Sequence, residues 1–165
     1  MKREVISVLV QNHAGVLARV TSLFARRGFN IDSLTVSATD KPEVSRITIV
    51  VNDDEKVLKQ IILQTARLEE TRNIFVLNPA NSLYRELLLL KVAADKSNRS
   101  ELREIGGIYK AKIIDLSPGS MVFELTGEPD KIDAFLKMME DFEILEMCRT
   151  GITAIERGGL SEHLS

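Results

Sequence analysis

The chain has 165 residues, 44% hydrophobic and 28% charged, with nine Gly and four Pro, a make-up that suits one globular domain or two small ones and excludes disordered and collagen-like chains. With 22 basic and 24 acidic residues and a net charge of −2, it offers no broad cationic surface to a nucleic-acid backbone.

Residues 4–10, EVISVLV, are apolar and β-branched enough to predict a strand. The run stops at Gln11-Asn12, too short for a secretory signal. Nowhere does the chain approach the roughly 18 uninterrupted apolar residues of a membrane span, so a cytoplasmic protein is expected. From Val16 the apolar positions Val16, Leu17, Val20, Leu23 and Phe24 take helical spacing, with Arg26-Arg27 suited to a helix C-terminus and Gly28 to a left-handed stop. Residues 30–38 alternate as a strand, Thr39 to Glu43 make a turn, and residues 44–52 return as a strand. Asp53, Asp54 and Glu55 open a second helix that runs through Val57, Leu58, Ile61, Ile62, Thr65 and Leu68; residues 72–77 close the unit in strand.

Asn78 to Ser82 form a short polar break, which predicts a domain of residues 1–78 followed by one of residues 79–165 with a polar tail. The second half repeats the order. Leu87 to Ala94 predict a strand, and Asn98 with Glu101 resembles a capping box that opens a helix to about Ile108, with Gly106-Gly107 at its terminus. Residues 111–117 and 120–126 predict strands around Pro118-Gly119. Pro129 begins a helix carrying Ile132, Phe135, Leu136 and Met139, and residues 143–149 and 152–156 finish in strand. The lone cysteine, Cys148, excludes an internal disulfide, and its apolar setting predicts a small buried hydrophobe. Two successive βαββαβ units predict an α+β protein of two tandem ferredoxin-like sandwiches. Helices cover one face of each sheet, so a partner is expected on the other face or on an edge strand, a homodimer first.

Catalytic machinery is sparse. The histidines are His13, in the loop after the first strand, and His163, in a tail expected to be disordered. His13 has no Cys or second His near it in sequence, so no metal site is expected; elbow serines and phosphate-cradling loops are missing, and no catalytic residue is assigned. The stronger pattern is Asn12-His13-Ala14-Gly15-Val16-Leu17, a polar loop and a glycine at a helix N-terminus. Free N–H groups and the positive end of the helix dipole suit a carboxylate there, and Gly15 admits a ligand close to the backbone. Asn30-Ile31 would add an amide and an apolar contact. Alternatively, Asn12 is a turn residue, Gly15 only breaks the strand, and Asn30 belongs to a loop.

The run from Asn12 to Val51, with Arg26-Arg27-Gly28-Phe29-Asn30-Ile31-Asp32-Ser33-Leu34-Thr35-Val36 within it, resembles the ACT domain of the acetolactate synthase (acetohydroxyacid synthase) small subunit. Lys112 to Leu116, Glu124 to Gly127, Lys131 to Phe135 and Arg149-Thr150-Gly151 resemble that subunit's C-terminal domain, so the likeness spans residues 2 to 159. The resemblance implies a non-catalytic dimer that activates a separate catalytic subunit carrying thiamine diphosphate, Mg²⁺ and FAD, with no cofactor in this chain. It also implies feedback inhibition by a branched-chain amino acid, usually valine, held between two ACT domains. Asn12, Gly15, Val16 and Leu17 would come from one domain and Asn30 and Ile31 from the other. Ala18 departs from the pattern, standing where many relatives carry a serine. The competing reading is a stand-alone amino-acid-sensing regulator of another enzyme or of transcription; the latter lacks a helix-turn-helix or basic arm.

Overall fold

The computed structural model describes residues 2–158; His163 and the polar tail lie outside them. The chain divides into one unit made of Met1–Leu83 with the segment from Ile152 onward, and a second made of Tyr84–Gly151.

In the first unit, β1 (Lys2–Gln11), α1 (Val16–Arg26), β2 (Ile31–Ala38), β3 (Val44–Asp53), α2 (Glu55–Ala66) and β4 (Thr71–Val76) follow the expected βαββαβ order. The sheet is antiparallel with strand order β2-β3-β1-β4. Alternation along β1 and β3 sends Ile6, Val8, Val10, Ile47, Ile49 and Val51 to one face, where they meet Val16, Val20 and Phe24 of α1 and Leu58 and Ile61 of α2. Phe24 packs edge-on to Phe29, with ring centroids 5.7 Å apart. Asp54 caps α2 by accepting from the Lys56 N–H, as the acidic opening of that helix suggests. Gly28 has φ 73°, the left-handed stop expected after α1.

In the second unit, β5 (Ser82–Ala93, begun in the first unit), α3 (Arg99–Ile108), β6 (Lys112–Ser117), β7 (Ser120–Gly127), α4 (Pro129–Met138) and β8 (Ile144–Arg149) repeat the order, and β9 (Thr153–Glu156) belongs to the first unit. The strand order is β6-β7-β5-β8, and β9 pairs with β5. Leu88, Leu90, Val92, Met121, Phe123 and Leu125 form the sheet side of the core against Leu102, Ile105, Ile132 and Phe135. Gly106 is buried in α3 because a Cβ there would lie 2.6 Å from Cε1 of Phe123. Gly106→Ala should therefore cost about 1–3 kcal/mol by overpacking, despite the better helix propensity of alanine. Thermal denaturation checks this; a stabilised variant would contradict it.

Two expectations need correction. Cys148 is exposed, because β8 is an edge strand and the apolar run around it, including Ile144, Leu145 and Met147, is itself exposed. Asn98 makes no side-chain cap bond to α3. Its Oδ1 accepts instead from the Asp95 N–H and its Nδ2 donates to the Ala93 carbonyl, so the side chain folds back on the preceding turn.

Candidate functional site

The loop between β1 and α1 is built backward from the helix. Gly15 occupies the N-cap position at φ 85°, a left-handed conformation that a side chain disfavours, and no side chain caps the helix. The Arg19 N–H to Gly15 carbonyl bond, 3.1 Å, begins the helical ladder. The N–H groups of Leu17 and Ala18 precede that ladder, and no acidic residue stands in the first turn. The first turn itself thus supplies no carboxylate to the positive end of the dipole. A Cβ built on Gly15 meets nothing within 4 Å, so the space in front of this turn is open.

Asn12 is held from two sides by the β2–β3 turn. Its N–H donates to the Glu43 carbonyl and its Nδ2 to the Pro42 carbonyl, both at 2.9 Å. The committed amide leaves Asn12 Oδ1 as the acceptor available to a ligand donor. His13 Nε2 lies 2.7 Å from Gln11 Oε1, a local pairing that fixes the loop. Val16 has a buried side chain in the core and its N–H donates to the His13 carbonyl at 3.4 Å, so it offers a ligand no free donor, while Leu17 is 40% exposed. Asn30 is exposed and Ile31 half-buried.

Within one chain these residues do not converge. Asn12 to Leu17 sit at the start of α1 and Asn30-Ile31 just beyond its end. Eleven helical residues separate the groups by about 16 Å. The sheet register agrees, pairing Gln11 with Val44 and Ile31 with Val51, at opposite ends of β3. β2 is an edge strand, so a second copy laid antiparallel along it would bring one copy's Asn30-Ile31 toward the other's Gly15 turn.

Three long-range ties escape any reading of local spacing. Arg19 of α1 pairs with Glu70, whose backbone carbonyl also receives the Gln11 N–H at 2.9 Å. Arg27 Nε donates to Gln64 Oε1 of α2 at 3.0 Å. Together they brace α1 at both ends. In the second unit, Arg149 grips Glu86 through Nε and Nη2 at 3.1 and 2.6 Å and reaches Asp133 of α4 with Nη1 at 2.7 Å. Among the described residues no group of three His, Cys, Asp or Glu is placed to hold a metal ion, and no helix is long and apolar enough to cross a membrane.

The family model for the AHAS small subunit-like ACT domain matches residues 6–73, and that for the small subunit of acetolactate synthase matches residues 85–158. The probable acetolactate synthase small subunit of Archaeoglobus fulgidus is 46% identical over 94% of this chain and 98% of its own length. The chain belongs to the acetolactate synthase small-subunit family. The Mycolicibacterium smegmatis acetolactate synthase small subunit is 43% identical over 93% of this chain and 90% of its own length. The crystal structure of the acetolactate synthase small subunit of Thermotoga maritima covers 97% of this chain at 36% identity, with a TM-score of 0.88. The tandem ferredoxin-like fold is therefore that of the family's regulatory subunits, and its first unit is an ACT domain.

Proposed function

We propose that this chain activates an acetolactate synthase catalytic subunit and confers on it feedback inhibition by a branched-chain amino acid, valine in the first instance. The ligand sits between the ACT domains of a homodimer in the cytoplasm. The uncapped turn at Gly15, with its halves of the site at opposite ends of α1, carries the reading. N–H groups of Leu17 and Ala18 receive the carboxylate beside Val16, whose own N–H donates to the His13 carbonyl, Asn12 Oδ1 and Asn30 accept from the ammonium, and Leu17 and Ile31 face the branched side chain. Matching one copy's Gly15 turn to the other copy's Asn30-Ile31 makes binding and pairing the same event. The absence of a serine at Ala18 removes one hydroxyl from the first helical turn, so affinity rests on backbone and amide groups. Thiamine diphosphate, Mg²⁺ and FAD belong to the catalytic partner.

Purified chain alone should form no acetolactate; added to the catalytic subunit it should raise turnover and make it valine-sensitive. A coupling of about 1–3 kcal/mol gives roughly 5- to 150-fold changes in apparent affinity. Calorimetry with valine, leucine and isoleucine, beside light scattering of the chain with and without each, tests the site. A strictly monomeric chain that ignores all three amino acids would overturn it.

A further inference from the structure

The helix-free face of the ACT sheet is not bare. Register places Val5, Ser7 and Leu9 of β1, Arg46, Thr48 and Val50 of β3, and Thr35 of β2 on that face, and Val5, Ser7, Thr48 and Val50 are buried there. The chain's own return segment crosses it. Thr35 Oγ1 donates to the Ile152 carbonyl at 3.4 Å, the Arg157 N–H donates to the Asn81 carbonyl at 2.8 Å, and Ile152 and Ala154 are buried. Arg46, half-buried, donates to Ser7 Oγ at 2.8 Å and is attracted by the Glu156 carboxylate.

Thr35 stands four residues beyond Ile31, in an edge strand that pairs with β3 among the described residues. The pairing of β2 with β3 already slips between Ile31 and Ser33, so the start of this strand is its weakly held part. The bond to Ile152 is a second hold. Upstream, the segment leaves a fixed point. Thr150 and Leu87 exchange bonds, with the Thr150 N–H donating to the Leu87 carbonyl at 3.1 Å and Thr150 Oγ1 accepting from the Leu87 N–H at 3.0 Å. Arg149 is clamped by Glu86, and Gly151 then turns the chain at φ 82°.

We propose that residues 152–157 form a strap that positions β2, and with it the Asn30-Ile31 half of the amino-acid site, from behind the sheet. This rests on the effector site proposed above. The strap follows β8 in the chain, and its hold on β2 sets effector affinity. Linkage makes this reciprocal: effector binding strengthens the hold of the strap on β2. Thr35, through β2, and Arg46, through the anchorage of the strap on β3, are positioning residues.

The full chain tests this with L-valine as the probe. In ligand-free hydrogen exchange, Thr35→Val should speed exchange of β2 amides while β4 stays unchanged, and Thr35→Ser should restore them. By calorimetry, valine affinity should fall about three- to tenfold in Thr35→Val, the range one hydrogen bond supports, and return in Thr35→Ser. Arg46→Glu should weaken binding similarly, and the swap Arg46→Glu with Glu156→Arg should recover it. Wild-type β2 protection and affinity in Thr35→Val, or a loosened β2 with unchanged affinity, would overturn the strap. A wild-type chain that binds no valine sinks the effector reading instead, and the ligand-free exchange of β2 then decides the strap alone.

Discussion

Gly15→Asp should abolish amino-acid binding while leaving the chain folded. The backbone at this N-cap is left-handed, φ 85°, which costs a side chain about 1–2 kcal/mol, and Asp is among the residues that tolerate it best. Its carboxylate would stand at a helix N-terminus, where the dipole favours it, and the built Cβ meets nothing within 4 Å. The fold therefore loses little. The ligand loses much, since a fixed negative charge about 5 Å from its carboxylate costs about 3 kcal/mol at an effective dielectric of about 20, roughly a hundredfold in affinity. Gly15→Asn separates the causes, adding the same bulk without charge, and should fall between wild type and Gly15→Asp in calorimetry. Normal valine affinity in Gly15→Asp, with a native circular dichroism spectrum, would show that the ligand binds elsewhere.

The largest loss of stability is expected from Arg149→Met. The Glu86 side chain is 2% exposed and takes two bonds from the guanidinium, and those bonds raise the Arg149 pKa above its ordinary value. Removing Arg149 leaves a buried carboxylate with no cation, a change that costs about 3–5 kcal/mol. It also frees Asp133 of α4 and removes a side-chain tie between β5 and β8, whose backbone ladder remains. Chemical denaturation should show the full loss, and hydrogen exchange should show protection failing first in β5 and β8. The double change Glu86→Leu with Arg149→Met removes both charges and should recover most of the stability, because the penalty belongs to the orphaned carboxylate. A single variant within about 1 kcal/mol of wild type would mean that water reaches Glu86 readily.

Element order was legible because each element carries its own period. Val16, Val20 and Phe24 return to one side of α1, and β1 and β3 are apolar, β-branched runs buried on both faces. Glycine punctuation was equally readable, at Gly28 after α1 and at Gly106-Gly107 near the end of α3. Failures came where tertiary neighbours decide. Cys148 lies in an apolar run, yet β8 is an edge strand and its residues stay exposed. Asn98 has the right spacing to Glu101 for a capping box, but the Ala93 carbonyl and Asp95 N–H take its side chain first. At the site, the Gly15 turn and Asn30-Ile31 were visible as candidates from residue type alone. The Pro42 carbonyl that orients Asn12, and the Glu70 carboxylate that anchors Arg19, are separated from their partners by 30 and 51 positions, and nothing local announces them.

The return of residues 152–158 to the first unit has a consequence for biosynthesis. A ribosome releases β1 to β4 early, then all of the second unit, and only afterward the segment that crosses the first sheet. The second unit can complete its core while Ser7, Thr48 and Val50 still lack their covering chain, so the domain begun first is finished last. Closing a contact between residues as distant as Thr35 and Ile152 also raises the contact order of that domain, which slows its final folding step.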